Sequence, residues 1–129
     1  MRIDDLSAVA VDEAIAVHRL LGPGLLESVY ETVLARRIAE RGLQVERQHI
    51  VPLTIGKDHF DAAFRVDILV EGRLVLEIKA AEHISNAHSR QLLTYLRILR
   101  QPVGLLLNFS GATMKEGIKR IVNDHRPED

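Results

Sequence analysis

The run Leu74-Val75-Leu76-Glu77-Ile78-Lys79-Ala80 constrains this chain more than any other stretch. It is apolar and β-branched and follows the turn signal Glu71-Gly72, a pattern that predicts a buried strand. A carboxylate and an ammonium nevertheless stand two residues apart inside it. Side chains alternate faces along a strand, so Glu77 and Lys79 point to one side and Leu76 and Ile78 to the other. Charges in such a setting are costly unless something pairs with them. The preceding run, Phe64-Arg65-Val66-Asp67-Ile68-Leu69-Val70, holds a second acid in equally apolar surroundings. The short Glu71-Gly72-Arg73 connection predicts a hairpin that brings Asp67 beside Glu77. Two carboxylates and a lysine on one sheet face suit a divalent-metal site for phosphate chemistry. The bland alternatives are a cross-strand Glu77–Lys79 ion pair on a solvated face, and Asp67 paired with Arg65 or Arg73.

The remaining elements follow from periodicity. Residues 1–7 are expected to be a lead-in, with Asp4, Asp5 and Ser7 as candidate caps. Helical spacing of Val11, Ala14, Ile15, His18 and Leu21 predicts a helix from about Val9 to Leu21, stopped by Gly22-Pro23-Gly24. A second helix is expected from Leu25 to Arg41, its apolar stripe comprising Leu26, Val29, Tyr30, Val33, Leu34 and Ile38. Glu27 lies at the margin of that stripe, in a first turn where the helix dipole also favours an acid.

Strands are expected over Leu43 to Leu53 or Ile55, Phe60 to Val70 and Arg73 to Ala80. Phe64, Val66, Ile68 and Val70 are expected to share one face of the second strand. A third helix, Asn86 to Leu99, carries Leu92, Leu93, Leu96 and Leu99 on one side and His88, Gln91 and Tyr95 on another. The run Val103 to Phe109 predicts a strand parallel to its neighbour through a right-handed crossover. Residues 112–122 read as a short helix or an extended arm. The order α-α-β-β-β-α-β describes an α/β (α+β) fold, a mixed sheet of about four strands flanked by helices. At 129 residues it is expected to be a single domain, 1–129, with its core over about 9–122.

An acid in one strand, nine intervening residues, then Glu77-Ile78-Lys79, then a helix and a strand, resembles the core of the PD-(D/E)XK nuclease superfamily. Gln91-Leu92-Leu93-Thr94-Tyr95 is similar to the Gln-x-x-x-Tyr motif of its helicase-associated members. Gly24-Leu25-Leu26-Glu27-Ser28-Val29-Tyr30 resembles the signature of its GxxExxY family. One departure is Val66, where the superfamily's name has proline before the acid. The resemblance implies a restriction-endonuclease-like core and phosphodiester hydrolysis with Mg²⁺ or Mn²⁺. By it, Asp67, Glu77 and the Ile78 carbonyl hold the metal, with Glu27 completing the shell. Lys79 acts on the attacking water or on transition-state charge, and Gln91 and Tyr95 orient ligands or a phosphate. Nucleic acid, DNA foremost, is the implied substrate. The alternatives are a catalytically silent nuclease fold used for nucleic-acid binding or assembly, and a phosphohydrolase of small nucleotides.

Composition removes several other classes. There is no cysteine, which excludes disulfides, thiolate zinc sites and cysteine nucleophiles. There is no long apolar run, so no signal peptide or membrane span is expected and the cytoplasm is the default. The net charge of −1 means that a nucleic-acid role needs a local basic patch. Arg36, Arg37 and Arg41, then Arg90, Arg97 and Arg100, then Lys115, Lys119 and Arg120 supply one only if they converge; solvated faces are the usual fate of such charges. A homodimer is expected to lengthen the nucleic-acid contact of so small a domain.

Overall fold

Two helices lead the chain, α1 (Ile3–Leu21) and α2 (Glu27–Glu40). A computed structural model describes all residues, 1–129. Helix α1 starts at Ile3, not near Val9, because Ile3, Leu6, Ala10, Ala14 and Val17 carry one buried stripe through its whole length. The Arg2 N–H donates to Asp5 Oδ2 at 2.9 Å and satisfies part of the helix start. In α2 the inward residues are Tyr30, Glu31, Leu34, Ala35 and Ile38, whereas Leu26 is 75% exposed and Val29 37%. The expected stripe is thus rotated, and it admits a second acid.

Three strands follow, β1 (Val45–Ile55), β2 (Asp58–Val70) and β3 (Leu74–Lys79). Helix α3 (Asn86–Leu99) crosses to β4 (Val103–Asn108). A 3₁₀ turn, Lys115–Gly117, then leads into β5 (Ile118–Val122). The sheet order is β1-β2-β3-β4-β5, with β3 and β4 parallel and the other pairs antiparallel. The mixed sheet with flanking helices is as expected, with five strands in place of about four. Strand β5 is short, and Lys119 and Arg120 on it are exposed, so it carries little hydrophobic signal.

The sheet buries both faces. Tyr30, Leu34 and Ile38 of α2 and the α1 stripe pack on Ile68, Val70, Leu76, Ile78, Leu105 and Leu107. On the other face Leu92 and Leu96 of α3 pack on Val51, Val66, Leu69, Val75 and Leu106. Val66 and Ile68 therefore serve opposite faces, against the expectation that Phe64, Val66, Ile68 and Val70 share one. The neighbouring strand is irregular at the same place. Between the pairs Arg47–Ile68 and His49–Val66, Gln48 adopts a left-handed backbone with φ 51°. This irregularity coincides with the change of face, opposite Asp67, whereas the register shift of the ladder lies further along, between Val51 and Leu53.

The α1–α2 connection is held by Tyr30. Its hydroxyl donates to the Gly22 carbonyl at 2.6 Å and accepts from the Leu25 N–H at 3.1 Å. Its ring is fully buried and stacks on Phe109 at 4.5 Å. Pro23, Gly24 and Leu25 share a cavity of about 290 Å³ with Ala80 and Ser110, which sets this loop over the end of β3. No helix is long and apolar enough to cross a membrane.

Candidate active site

Strands β2 and β3 pair only from Val70–Leu74 to Ile68–Leu76 and then part. The next backbone donor on β3 needs a new partner, and Asp67 supplies it: Oδ2 accepts from the Ile78 N–H at 2.8 Å. Glu77 lies beside this opening on the α3 side of the sheet, 6% exposed. Its Oε1 is buried without any hydrogen-bond partner. Burial, followed by the charge of Asp67, pushes the Glu77 carboxyl up to about 9, against the opposing pull of Lys79. Glu77 is therefore protonated at neutral pH in the metal-free protein. Lys79 is half-buried at the end of the strand.

Tyr95 reaches the same place from α3. Its phenol is shifted upward by burial and then by the charges of Glu77 and Asp67. The ring stacks on Phe64 at 4.0 Å and 6° between planes, which fixes α3 against the β2 ribbon. Asp67, Glu77, Lys79 and Tyr95 thus gather around the opening between β2 and β3.

Other candidates stand apart. Glu27 is exposed at the start of α2, without a side-chain hydrogen bond. Gln91 is exposed as well. His88 Nδ1 lies 3.3 Å from the Ser85 N–H, at the helix start. No three histidine, aspartate or glutamate side chains gather as an ion cage, so Asp67 and Glu77 stand as a pair, with the Ile78 backbone between them. The acid that α2 turns inward is Glu31, one helical turn after Glu27 and 6% exposed. Its Oε2 accepts from Arg47 Nε and Nη2 at 3.1 and 2.8 Å, and its Oε1 accepts from Gln48 Nε2 at 2.7 Å. The same Gln48 nitrogen lies 3.4 Å from Asp67 Oδ1. Sequence reasoning missed Glu31 and Gln48; the one available signal was the spacing of Glu31 with Tyr30, Leu34 and Ile38.

Several of the basic residues are held elsewhere. Arg37 and Arg41 bind Glu13 at 2.8 and 2.9 Å, and Arg120 binds Asp4 at 2.7 Å. Arg97 and Arg100 line a cavity of about 680 Å³ with Arg73, at the end of the sheet away from Lys79.

Sequence comparison bears on the same elements. The family model of the PD-(D/E)XK nuclease superfamily matches residues 4–121. The chain belongs to this superfamily. The match runs from α1 into β5 and includes Asp67, Glu77 and Lys79 of this PD-(D/E)XK protein. No curated protein matches the chain.

Proposed function

We propose that this PD-(D/E)XK protein is a Mg²⁺- or Mn²⁺-dependent nuclease of the GxxExxY family that hydrolyses phosphodiester bonds of DNA or RNA. The observation that carries the reading is the buried Glu77 carboxyl set beside the Asp67 carboxylate. Two acids this close in a desolvated setting do not both ionise unaided, so Glu77 keeps a proton beside Asp67, and a hard divalent cation would stand in place of that proton. The donor set therefore fits the group. Asp67, Glu77 and the Ile78 carbonyl would hold it, and Glu27, exposed at the start of α2, would complete the shell through water. Such a cation, when bound, neutralises phosphoryl charge and lowers the pKa of a coordinated water.

The chain's own residues do the rest. Glu77 would hold the cation in its ionised form, its proton released to solvent. Lys79, on the same face, orients the attacking water and steadies charge on the phosphoryl oxygens. Tyr95 and Gln91, one helical turn apart on α3, hold the phosphate or orient the ligands. Gly24 and Tyr30 act at a remove, by fixing the loop that precedes Glu27. DNA is the favoured substrate, and a homodimer would lengthen the duplex contacted.

A second reading, a silent nuclease fold that binds nucleic acid or a protein, is favoured by one observation. Arg37, Arg41 and Arg120 are all engaged by acids of the same chain. A cleavage assay with Mg²⁺ and with Mn²⁺, on single-stranded, duplex and nicked DNA and on RNA, separates the two. Cutting is expected, with Asp67→Ala, Glu77→Ala and Lys79→Ala each lowering the rate by about 10² or more. Absence of cutting on every substrate, or cutting that survives these substitutions, leaves the silent module.

A further inference from the structure

Gln48 sits in mid-strand with φ 51°, a left-handed backbone that a residue bearing a Cβ rarely adopts. Such strain persists only where its surroundings impose it. Here it aims a side-chain amide at two acids on different elements. Gln48 Nε2 is 2.7 Å from Glu31 Oε1 and 3.4 Å from Asp67 Oδ1. An amide NH₂ has two hydrogens, and ionised carboxylates only accept, so each acid takes one. The flipped amide would set its oxygen against two carboxylates, so the chemistry dictates the orientation.

We propose that Gln48 is a positioning residue for Asp67, braced by Glu31. The brace is firm at its far end. Glu31 is buried and holds Arg47 through both Nε and Nη2, so it cannot swing without breaking a charge-assisted contact. At the near end each Asp67 oxygen meets one donor, Gln48 at Oδ1 and the Ile78 N–H at Oδ2. A carboxylate offers about four lone-pair sites, so this leaves capacity on both oxygens for a cation. The row Arg47, Glu31, Gln48, Asp67 ties α2 and β1 to the opening between β2 and β3. Groups that orient a ligand in this way typically govern metal affinity rather than folding.

The proposal rests on Asp67 being a cation ligand, and the test separates the two ideas. Mn²⁺ binding is measured by calorimetry for the wild type, Glu77→Ala and Gln48→Gly, with melting temperature recorded alongside. Glycine accepts the left-handed backbone, so Gln48→Gly removes the amide without adding strain. We expect its Mn²⁺ affinity, titrated well below the melting temperature, to fall about 10- to 100-fold; the loss of the partner of Glu31 Oε1 lowers the melting temperature as well, and the variant still has to be folded at the titration temperature. Should this variant fail to fold, Gln48→Asn, which tolerates the same backbone but is one methylene short, carries the same expectation. Unchanged Mn²⁺ affinity in the variant overturns the positioning role and leaves the cation site standing. Affinity that falls in Gln48→Gly but stays at the wild-type value in a folded Gln48→Asn protein marks Gln48 as merely structural and also overturns it. A wild type that takes up no Mn²⁺, or a Glu77→Ala protein that takes up as much, removes the cation site and this inference with it.

Discussion

The Asp67 carboxylate accepts the Ile78 backbone N–H at 2.8 Å, where the β2–β3 ladder has just ended at Ile68–Leu76. A side chain thus replaces a strand. The exchange leaves an opening in the sheet without leaving a buried N–H unpaired. It also brings a second acid next to Glu77, whose Oε1 is buried. The site is held together by backbone accounting on one side and left unsatisfied on the other, and the unsatisfied side is where a ligand has something to offer.

That tension is measurable as stability. Below the ordinary carboxyl value of 4.5, Glu77 carries its proton in both the folded and the unfolded chain. Between 4.5 and about 9 only the folded chain keeps it, so the wild type loses stability as pH rises through this window, by at most about 1.4 kcal/mol per pH unit. Glu77→Gln has no such proton to hold. Without divalent metal, its advantage over the wild type is expected to be absent near pH 4 and to exceed about 1 kcal/mol at pH 8. Urea titrations across that range check it; a difference that stays flat with pH would refute the buried, uncompensated state of Glu77.

Acid pH should expose a second carboxyl, of opposite sign. Burial pushes Glu13 upward, but the hydrogen bonds and charges of Arg41 and Arg37 outweigh it and hold Glu13 below its ordinary value. This contribution is present above 4.5 and is lost as pH falls through the depressed value. Both arginines are more than a third exposed, so each is worth only about 0.5–1 kcal/mol after screening. Replacing Arg37 and Arg41 by alanine should destabilise the protein at pH 7 and leave little difference at pH 2. Thermal melts at the two pH values distinguish this from a purely packing role.

The α1–α2 loop should loosen when the Tyr30 hydroxyl is removed. Tyr30→Phe keeps the stack on Phe109 but strands the Leu25 N–H and the Gly22 carbonyl. A loss of about 1–2 kcal/mol is expected. Faster hydrogen exchange at the Leu25 amide, with exchange in β4 unaltered, would locate the effect in the loop.

Gly117 is expected to be intolerant of any side chain. A Cβ there would lie 1.9 Å from the Asn108 carbonyl oxygen, and that contact is to backbone, which cannot swing aside. Gly117→Ala should cost about 2–4 kcal/mol and detach β5 from β4. The readout is the melting temperature, together with amide protection over Ile118–Val122.

Much of the frame was legible because it is local. Apolar and polar positions alternating in Leu74–Ala80 separate Glu77 from Leu76 and Ile78 whatever surrounds the strand, and the bounds of α3 follow from its leucines and the Gln101-Pro102 stop. The early start of α1 was missed because Asp4 and Asp5 read as caps, although they lie in its first turn. Residues 112–122 read equally as a short helix or an extended arm because a charged edge strand has no buried face to announce it; the structure holds a 3₁₀ turn and then β5.

By itself, the sequence determined the order of the elements, the faces of β3 and α3, and the residue types able to hold a cation. Only the tertiary structure decided that β2 parts from β3 at Asp67, that Glu31 rather than Glu27 turns inward, and that Gln48 links them. The physical reason is that side-chain periodicity records which way one element faces, whereas a left-handed residue in β1 and a carboxylate capping the backbone of β3 are settled between strands brought together by the fold.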